Sequence, residues 1–329
     1  MTRRMKAGFA LALAAGLGLA LTYGIYFQLA PEPSLGGELR ERVVQWDGRE
    51  RHYTFYLPPE RAQRPPLLFV FHGSGGSAAQ SRAMYGYAFD ELADEEGFIV
   101  VYPEGYEQHY NGCRKAGPYA ANALQVDDVG FMRLLVEQFT EEFGIDTRAV
   151  FATGVSNGGQ MALRLALEAP DLVAAVAPVA TSLPTAGNMD CRYSGIPVPF
   201  LLMNGTDDPM NPYHGGTVAL YGLLGDRGEV MSSRETALYW AGLAGLQGEP
   251  MRRELPDVVE ADNSRVSVDS WFEPGKPAVS LYTIEGGGHN APHPHIRLPR
   301  LLGGTNNDIV AAREIWRFFQ HASGVVATP

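Results

Sequence analysis

The feature that most narrows what this chain can fold into is an alternation. Short, wholly apolar runs end at glycine or a turn, and stretches with helical spacing lie between them. Pro66–Phe71 is apolar throughout and stops at His72-Gly73-Ser74-Gly75-Gly76. Phe98–Tyr102, Ala149–Thr153, Val173–Val179 and Val198–Met203 are similar runs, and Val279–Ile284, broken by Ser280 and Thr283, reads as a further strand. A strand with one wet face would alternate polar residues with apolar ones. These runs do not, so they read as strands buried on both faces. Ala78–Glu95 has helical spacing through Met84, Tyr87, Phe89 and Leu92. Asp127-Asp128 can cap a helix whose apolar face is Val129, Met132, Leu135, Phe139 and Phe143. Gly158–Glu168, Ser233–Ala244 and Asp308–His321 read as further helices. The expected fold class is therefore α/β, a mostly parallel central sheet with helices on both faces and right-handed crossovers. Arg42–Trp46 and His52–Leu57 flank Asp47-Gly48, which predicts a pair of N-terminal hairpin strands ahead of it.

The alternation begins only after an unusual N-terminus. Arg3, Arg4 and Lys6 precede a nearly continuous apolar run, Ala7 to Ala30. At about 1.5 Å per residue such a run can cross a bilayer as a helix. It ends Phe27-Gln28-Leu29-Ala30-Pro31, a poor cleavage site because Gln28 stands at minus three and Pro31 follows. Residues 1–34 are thus expected to be a signal or anchor segment, with a retained anchor favoured over a cleaved signal. The basic end stays inside, so the rest lies outside the cytoplasm, periplasmic or extracellular, and membrane-held by residues 7–30 if the segment is kept. The whole chain carries a formal charge of −11, and the part after residue 30 carries −14. That field repels phosphate backbones, so nucleic acid is not an expected partner, and it weakly favours neutral or cationic substrates. The two cysteines, Cys113 and Cys191, both fall in the exported part, where a pair is more often bridged than free. Two unrelated buried thiols are the alternative.

Gly154-Val155-Ser156-Asn157-Gly158 matches the G-x-S-x-G nucleophile elbow. Alone the pentapeptide is weak. Here it joins the apolar strand Ala149–Thr153 to an amphipathic helix bearing Met161, Leu163 and Leu165, the context the motif requires. A serine hydroxyl needs a base, and in the α/β-hydrolase fold the chain order is Ser, then Asp or Glu, then His. His289 follows the strand Val279–Ile284 and the turn Glu285-Gly286-Gly287-Gly288, so it falls at the sheet edge where α/β active sites gather. His321 belongs to the terminal helix, and His293 and His295 read as loop residues at the rim of the cleft. Pro292 and Pro294 break helical spacing among these histidines and no carboxylate or cysteine lies among them, so no metal site is expected. The acid should follow the strand Val198–Met203, in Asn204-Gly205-Thr206-Asp207-Asp208-Pro209, and spacing alone leaves Asp207 and Asp208 both open. The oxyanion hole should take one backbone N–H from Asn157 and one from Ser74 in the glycine-rich loop. His72 precedes the serine and reads as structural. The first part of Pro212–Gly248, rich in tyrosine and glycine, is either a lid over the cleft or a surface loop.

Taken together, these segments resemble the extracellular polyhydroxybutyrate depolymerase and feruloyl esterase family. The likeness runs from about Arg42 to Phe319. It includes F-H-G-S-G-G, G-F-I-V-V-Y-P-E-G at 97–105, D-D-V-G-F-M at 127–132 and I-D-T-R-A-V-F-A-T-G-V-S-N-G-G-Q-M-A at 145–162. N-G-T-D-D-P at 204–209 and G-G-G-H at 286–289 complete it. The resemblance implies Ser156 as nucleophile, His289 as base and Asp208 as the acid, and it suggests that Cys113 and Cys191 form a disulfide. Two positions depart from the family pattern: Tyr110-Asn111 stands where Trp-Asn is common, and His289-Asn290-Ala291-Pro292 where His-x-Trp-Pro is common. Those tryptophans are candidates for lining the acyl or aromatic subsite.

The expectation is one α/β-hydrolase catalytic domain over 35–329. Its function would be that of a serine carboxylic-ester hydrolase acting on a polyhydroxyalkanoate-like, feruloyl or acetyl ester through an acyl-enzyme. Such chemistry requires no cofactor. The ester, small or polymeric, is the expected partner. The rivals are an acyltransferase or peptidase on the same fold, and a membrane-anchored binding module with an inactive site.

Overall fold

The computed structural model describes residues 28–323. The signal or anchor reading falls on residues 1–34, most of which lie outside the described residues. Among the described residues no helix is long and apolar enough to cross a membrane.

The strands are β1 (Glu38–Trp46), β2 (Arg49–Leu57), β3 (Leu67–Phe71), β4 (Ile99–Pro103), β5 (Val150–Val155), β6 (Ala175–Val179) and β7 (Phe200–Gly205), followed by β8 (Gly216–Thr217), β9 (Glu229–Val230), β10 (Met251–Glu254), β11 (Arg265–Trp271) and β12 (Val279–Glu285). The helices are α1 (Ala78–Met84), α2 (Ala88–Glu96), α3 (Ala120–Ala123), α4 (Asp128–Phe143), α5 (Asn157–Glu168), α6 (Ser233–Leu243) and α7 (Ala311–Ser323). Ten strands form one sheet in the order β1-β2-β4-β3-β5-β6-β7-β12-β11-β10, and β8 and β9 pair separately. The six from β4 to β12 are parallel. The strands outside them, two on each flank, run antiparallel.

The apolar runs form the parallel centre because both of their faces are covered. Leu67, Phe69 and Phe71 of β3 join one core with Phe131 of α4, Met161 of α5 and Trp240 of α6. Leu68 and Val70 point the other way, into a core with Phe89 of α2 and Trp316 of α7. Period-two alternation thus feeds two apolar layers from one strand. Asp47 (φ 51°) and Gly48 (φ 69°) make the expected β1–β2 turn. Asp127 caps α4 by accepting from the Gly130 N–H.

One expected helix is two. Ala78–Glu95 breaks at Tyr85-Gly86-Tyr87, where Gly86 (φ 62°) and Tyr87 (φ 60°) take left-handed backbone that a helix cannot continue through. The sequence reading also missed β10 and β11. Met-Arg-Arg-Glu is exposed along its length and carries no apolar run to betray it. Cys113 and Cys191 form a disulfide.

Candidate active site

The C-terminal ends of β3, β5, β7 and β12 lie along one edge of the sheet, and each carries one of the residues singled out by the sequence. Ser156 turns the chain from β5 into α5 at φ 58°, ψ −113°, a strained conformation for a residue with a side chain. The turn is possible because Gly158 has no Cβ. One placed there would stand 2.3 Å from the Phe71 carbonyl oxygen and 2.6 Å from that of His72. The elbow therefore rests directly on the loop after β3.

β7 and β12 are neighbours, with Gly205 opposite Ile284. The loops that follow them meet, and a Cβ on Gly205 would lie 2.2 Å from the Gly287 carbonyl oxygen. This close approach sets Asp208 Oδ2 2.7 Å from His289 Nδ1. The other carboxylate oxygen of Asp208 accepts from the N–H groups of Met210 (2.7 Å) and Asn211 (2.9 Å). Asp208 is buried, whereas Asp207 is exposed and accepts only from the Thr206 hydroxyl. Burial and contact with His289 thus distinguish Asp208 from Asp207, which spacing had left equal.

Ser156 and His289 line the same cleft, of about 510 Å³. His289 Nε2 is buried and makes no hydrogen bond among the described residues. The walls are mostly apolar, with Met84, Tyr85, Met210, Leu298, Pro299 and Leu302, and among the described residues no Asp, Glu, Lys or Arg side chain lines them. Ser74 borders the cleft too. Its backbone N–H and that of Asn157 take no part in the backbone hydrogen bonds outside helices and strands. The Asn157 side chain is occupied elsewhere, exchanging hydrogen bonds with the backbone of Tyr110 (2.8 and 3.1 Å).

Residues 51–188 match the family described as Esterase PHB depolymerase. The chain is 32% identical over 286 residues to Putative esterase NocK of Nocardia uniformis subsp. tsuyamanensis, covering 83% of this chain and 79% of that protein. The chain belongs to the Esterase PHB depolymerase family. It is 29% identical over 227 residues to Feruloyl esterase B of Piromyces equi, covering 68% of this chain and 39% of that longer protein. The solved acetyl xylan esterase from Aspergillus awamori shares the fold, with a TM-score of 0.55 at 18% identity over 78% of this chain and 96% of that one. The fold is that of the α/β-hydrolases, and the chain is a carboxylic ester hydrolase.

Several details of this esterase depart from the sequence reading. His293 and His295 do not border the cleft. His293 is buried against Gly86 in a separate groove beside Ala30, and His295 is exposed there. Among the described residues no three His, Cys, Asp or Glu side chains gather as a metal site would need. The segment from Pro212 does not wall the cleft either. Only Met210, just before it, reaches in. Tyr110 and Ala291, at the positions of the family's tryptophans, are both buried and line no part of the cleft. His72, although it borders the cleft, has both ring nitrogens engaged by backbone. Its Nδ1 bonds to the Gly73 carbonyl (2.7 Å) and its Nε2 accepts from the Gly105 N–H (3.0 Å), while burial lowers its pKa.

A polar bracket behind the elbow was not visible in the sequence. Asn204, at the end of β7, donates to the Thr181 carbonyl and to the hydroxyls of Ser182 and Ser233. Gln160 of α5 donates to the Thr181 hydroxyl and the Ser182 carbonyl. Nucleophile helix and acid loop are thereby tied to the same two residues. A lone Asn or Gln in an apolar run carries no pattern that would identify it.

Proposed function

We propose that Ser156, His289 and Asp208 hydrolyse a carboxylic ester by two acyl transfers, outside the cytoplasm. Ser156 Oγ attacks the ester carbonyl and its proton passes to His289 Nε2. Asp208 accepts the Nδ1–H bond, fixing the tautomer and stabilising the imidazolium that forms. The N–H groups of Ser74 and Asn157 hold the oxyanion, each worth about 10²–10³ in rate. His289 then returns its proton to the leaving alcohol, and water repeats the sequence on the acyl-enzyme.

The observation that carries this reading is the Asp208–His289 pair, at 2.7 Å, beside a strained serine in one apolar cleft. A buried ring nitrogen with no partner costs roughly 1–3 kcal/mol, and a pending proton transfer gives it a reason to persist. The uncharged walls favour an ester with an apolar acyl or aryl group, of the feruloyl, acetyl or hydroxyacyl kinds. The disulfide favours an oxidising compartment. Gln28 exchanges two backbone hydrogen bonds with Arg297 and Leu29 lines the cleft, which favours a chain that keeps its N-terminal segment.

The test is covalent labelling by a fluorophosphonate, followed by peptide mass spectrometry, alongside a panel of short-acyl, 3-hydroxyacyl-oligomer, feruloyl and acetylated-sugar esters. Label on the Ser156 peptide and its loss in Ser156→Ala are expected. Label on another serine, or wild-type turnover by Ser156→Ala, would discard the assignment.

A further inference from the structure

Three arginines among the described residues are buried, and two of them have carboxylates. Arg51 pairs with Asp128 at 2.5 Å, and Arg82 with Asp90 at 2.7 Å and Glu32 at 3.1 Å. Arg114, 5% exposed, has no carboxylate partner and its guanidinium makes no side-chain hydrogen bond among the described residues. Burial holds it below the ordinary arginine range. The Tyr119 phenol offsets part of that, and a second cation, Arg227, adds to it. Arginine keeps its proton in proteins, so a buried guanidinium without a counter-charge is expensive.

Arg227 also lacks a carboxylate. Its Nε donates to the Tyr119 phenol oxygen at 2.8 Å and one terminal nitrogen to the Gly225 carbonyl at 2.8 Å. The Tyr119 oxygen lies 2.9 Å from Ser74 Oγ, and the ring is stacked on His109 with centroids 4.1 Å apart. Ser74 borders the cleft that holds Ser156. Arg227 is therefore held two hydrogen bonds from Ser74, the residue proposed as an oxyanion donor, and buried Arg114 lies close enough to Tyr119 and Arg227 to feel both, in a chain otherwise rich in acid. The overall negative field is screened within about 8 Å at physiological salt, so at contact distance the local pair dominates.

We propose that Arg114 and Arg227 form an anion subsite beside the cleft that takes a free carboxylate carried by the ester substrate, such as the acid end of a half-ester or oligoester. This rests on Ser156 being the reacting centre, since the subsite is placed relative to it. Guanidinium groups suit a carboxylate because their planar forks match its two oxygens.

The test compares 4-nitrophenyl hydrogen adipate and hydrogen suberate with their methyl esters, and the butyryl ester of 4-hydroxybenzoate with that of its methyl ester. The first series puts the carboxylate on the acyl side, the second on the alcohol side. In the wild type, kcat/KM should favour the acid over its methyl ester at least tenfold in one series. That ratio should fall to near one in Arg227→Gln and in Arg114→Gln, and recover in part in Arg227→Lys. No preference in either series, or a preference that Arg227→Gln leaves intact, would overturn the subsite. Calorimetry of adipate binding to Ser156→Ala separates this inference from the catalytic one. Binding there, lost in Ser156→Ala/Arg227→Gln, supports the subsite whatever residue does the chemistry. Absence of binding overturns it.

Discussion

At the scale of single residues, the proposed chemistry is concentrated in three side chains, and their neighbours of the same type supply the controls. Ser156→Ala and His289→Ala should each lower kcat by about 10⁴–10⁶, and Asp208→Asn by about 10⁴, with melting temperatures close to wild type. Asp207→Asn should stay within about twofold, because that carboxylate is exposed and touches only Thr206. Hydrolysis of 4-nitrophenyl butyrate by the four purified variants checks this, and equal losses at 207 and 208 would contradict it. The positions of Ser156 and His289 at the sheet edge were legible because each follows a recognisable strand. The aspartates were not separable, since adjacent residues share a spacing and differ only in what the fold does with them. His293 was misplaced for a related reason. Proximity in sequence to His289 put it near the cleft, but the chain turns it back onto Gly86.

At the scale of elements, the strands of the parallel centre were readable because double burial leaves an unbroken apolar run. β10 and β11, whose apolar residues are broken by charged and hydroxyl side chains, were not, and the break between α1 and α2 was hidden by helical spacing that continues across it. That break gives a prediction. Gly86 has φ 62°, and a Cβ there would stand 2.3 Å from the ring of His293. Gly144, which ends α4 at φ 63°, has open space around it. Gly144→Ala should cost only the left-handed backbone penalty, about 1 kcal/mol, and Gly86→Ala about 2–3 kcal/mol because the ring must also move. Denaturant midpoints measure both, and equal losses would remove the steric part of the argument. The disulfide ties elements together in another way. Cys113 follows the segment whose Tyr110 is clamped by Asn157, and the bridge spans 78 residues. By loop-closure entropy such a bridge is worth up to about 4 kcal/mol. Cys113→Ser/Cys191→Ser should therefore unfold at markedly lower denaturant than wild type does. An unchanged midpoint would mean that the 110–113 segment is held by its packing alone.

At the scale of the whole molecule, two buried groups on one face of the sheet oppose each other in acid, and neither was visible in the sequence as titrating. Burial, with His295 adding to it, lowers the His293 pKa to about 4. The unfolded imidazole takes up its proton near pH 6.5, so between about 6.5 and 4 the unfolded chain binds more protons. Stability from this group therefore falls as pH drops through that window. Asp90 acts with the opposite sign. Burial raises its pKa to about 6, against the pull of Arg82 and Tyr102. Between about 3.8 and 6 the folded chain holds the extra proton, so its contribution falls as pH rises. The two oppose each other from pH 4 to 6, and the better-buried Asp90 contributes more, which predicts that the wild type gains a little stability on acidification there. His293→Gln should leave the Asp90 slope exposed and gain stability on acidification. Asp90→Asn, less stable overall because it weakens the Arg82 pair, should show the reverse slope. Each difference across the window should be of order 1 kcal/mol for His293, whose ring borders a wet groove, and about 2–3 kcal/mol for Asp90. Denaturant unfolding of the three proteins at pH 4, 5, 6 and 7 reads the slopes directly. Parallel profiles in all three would mean that neither group is held away from its unfolded pKa.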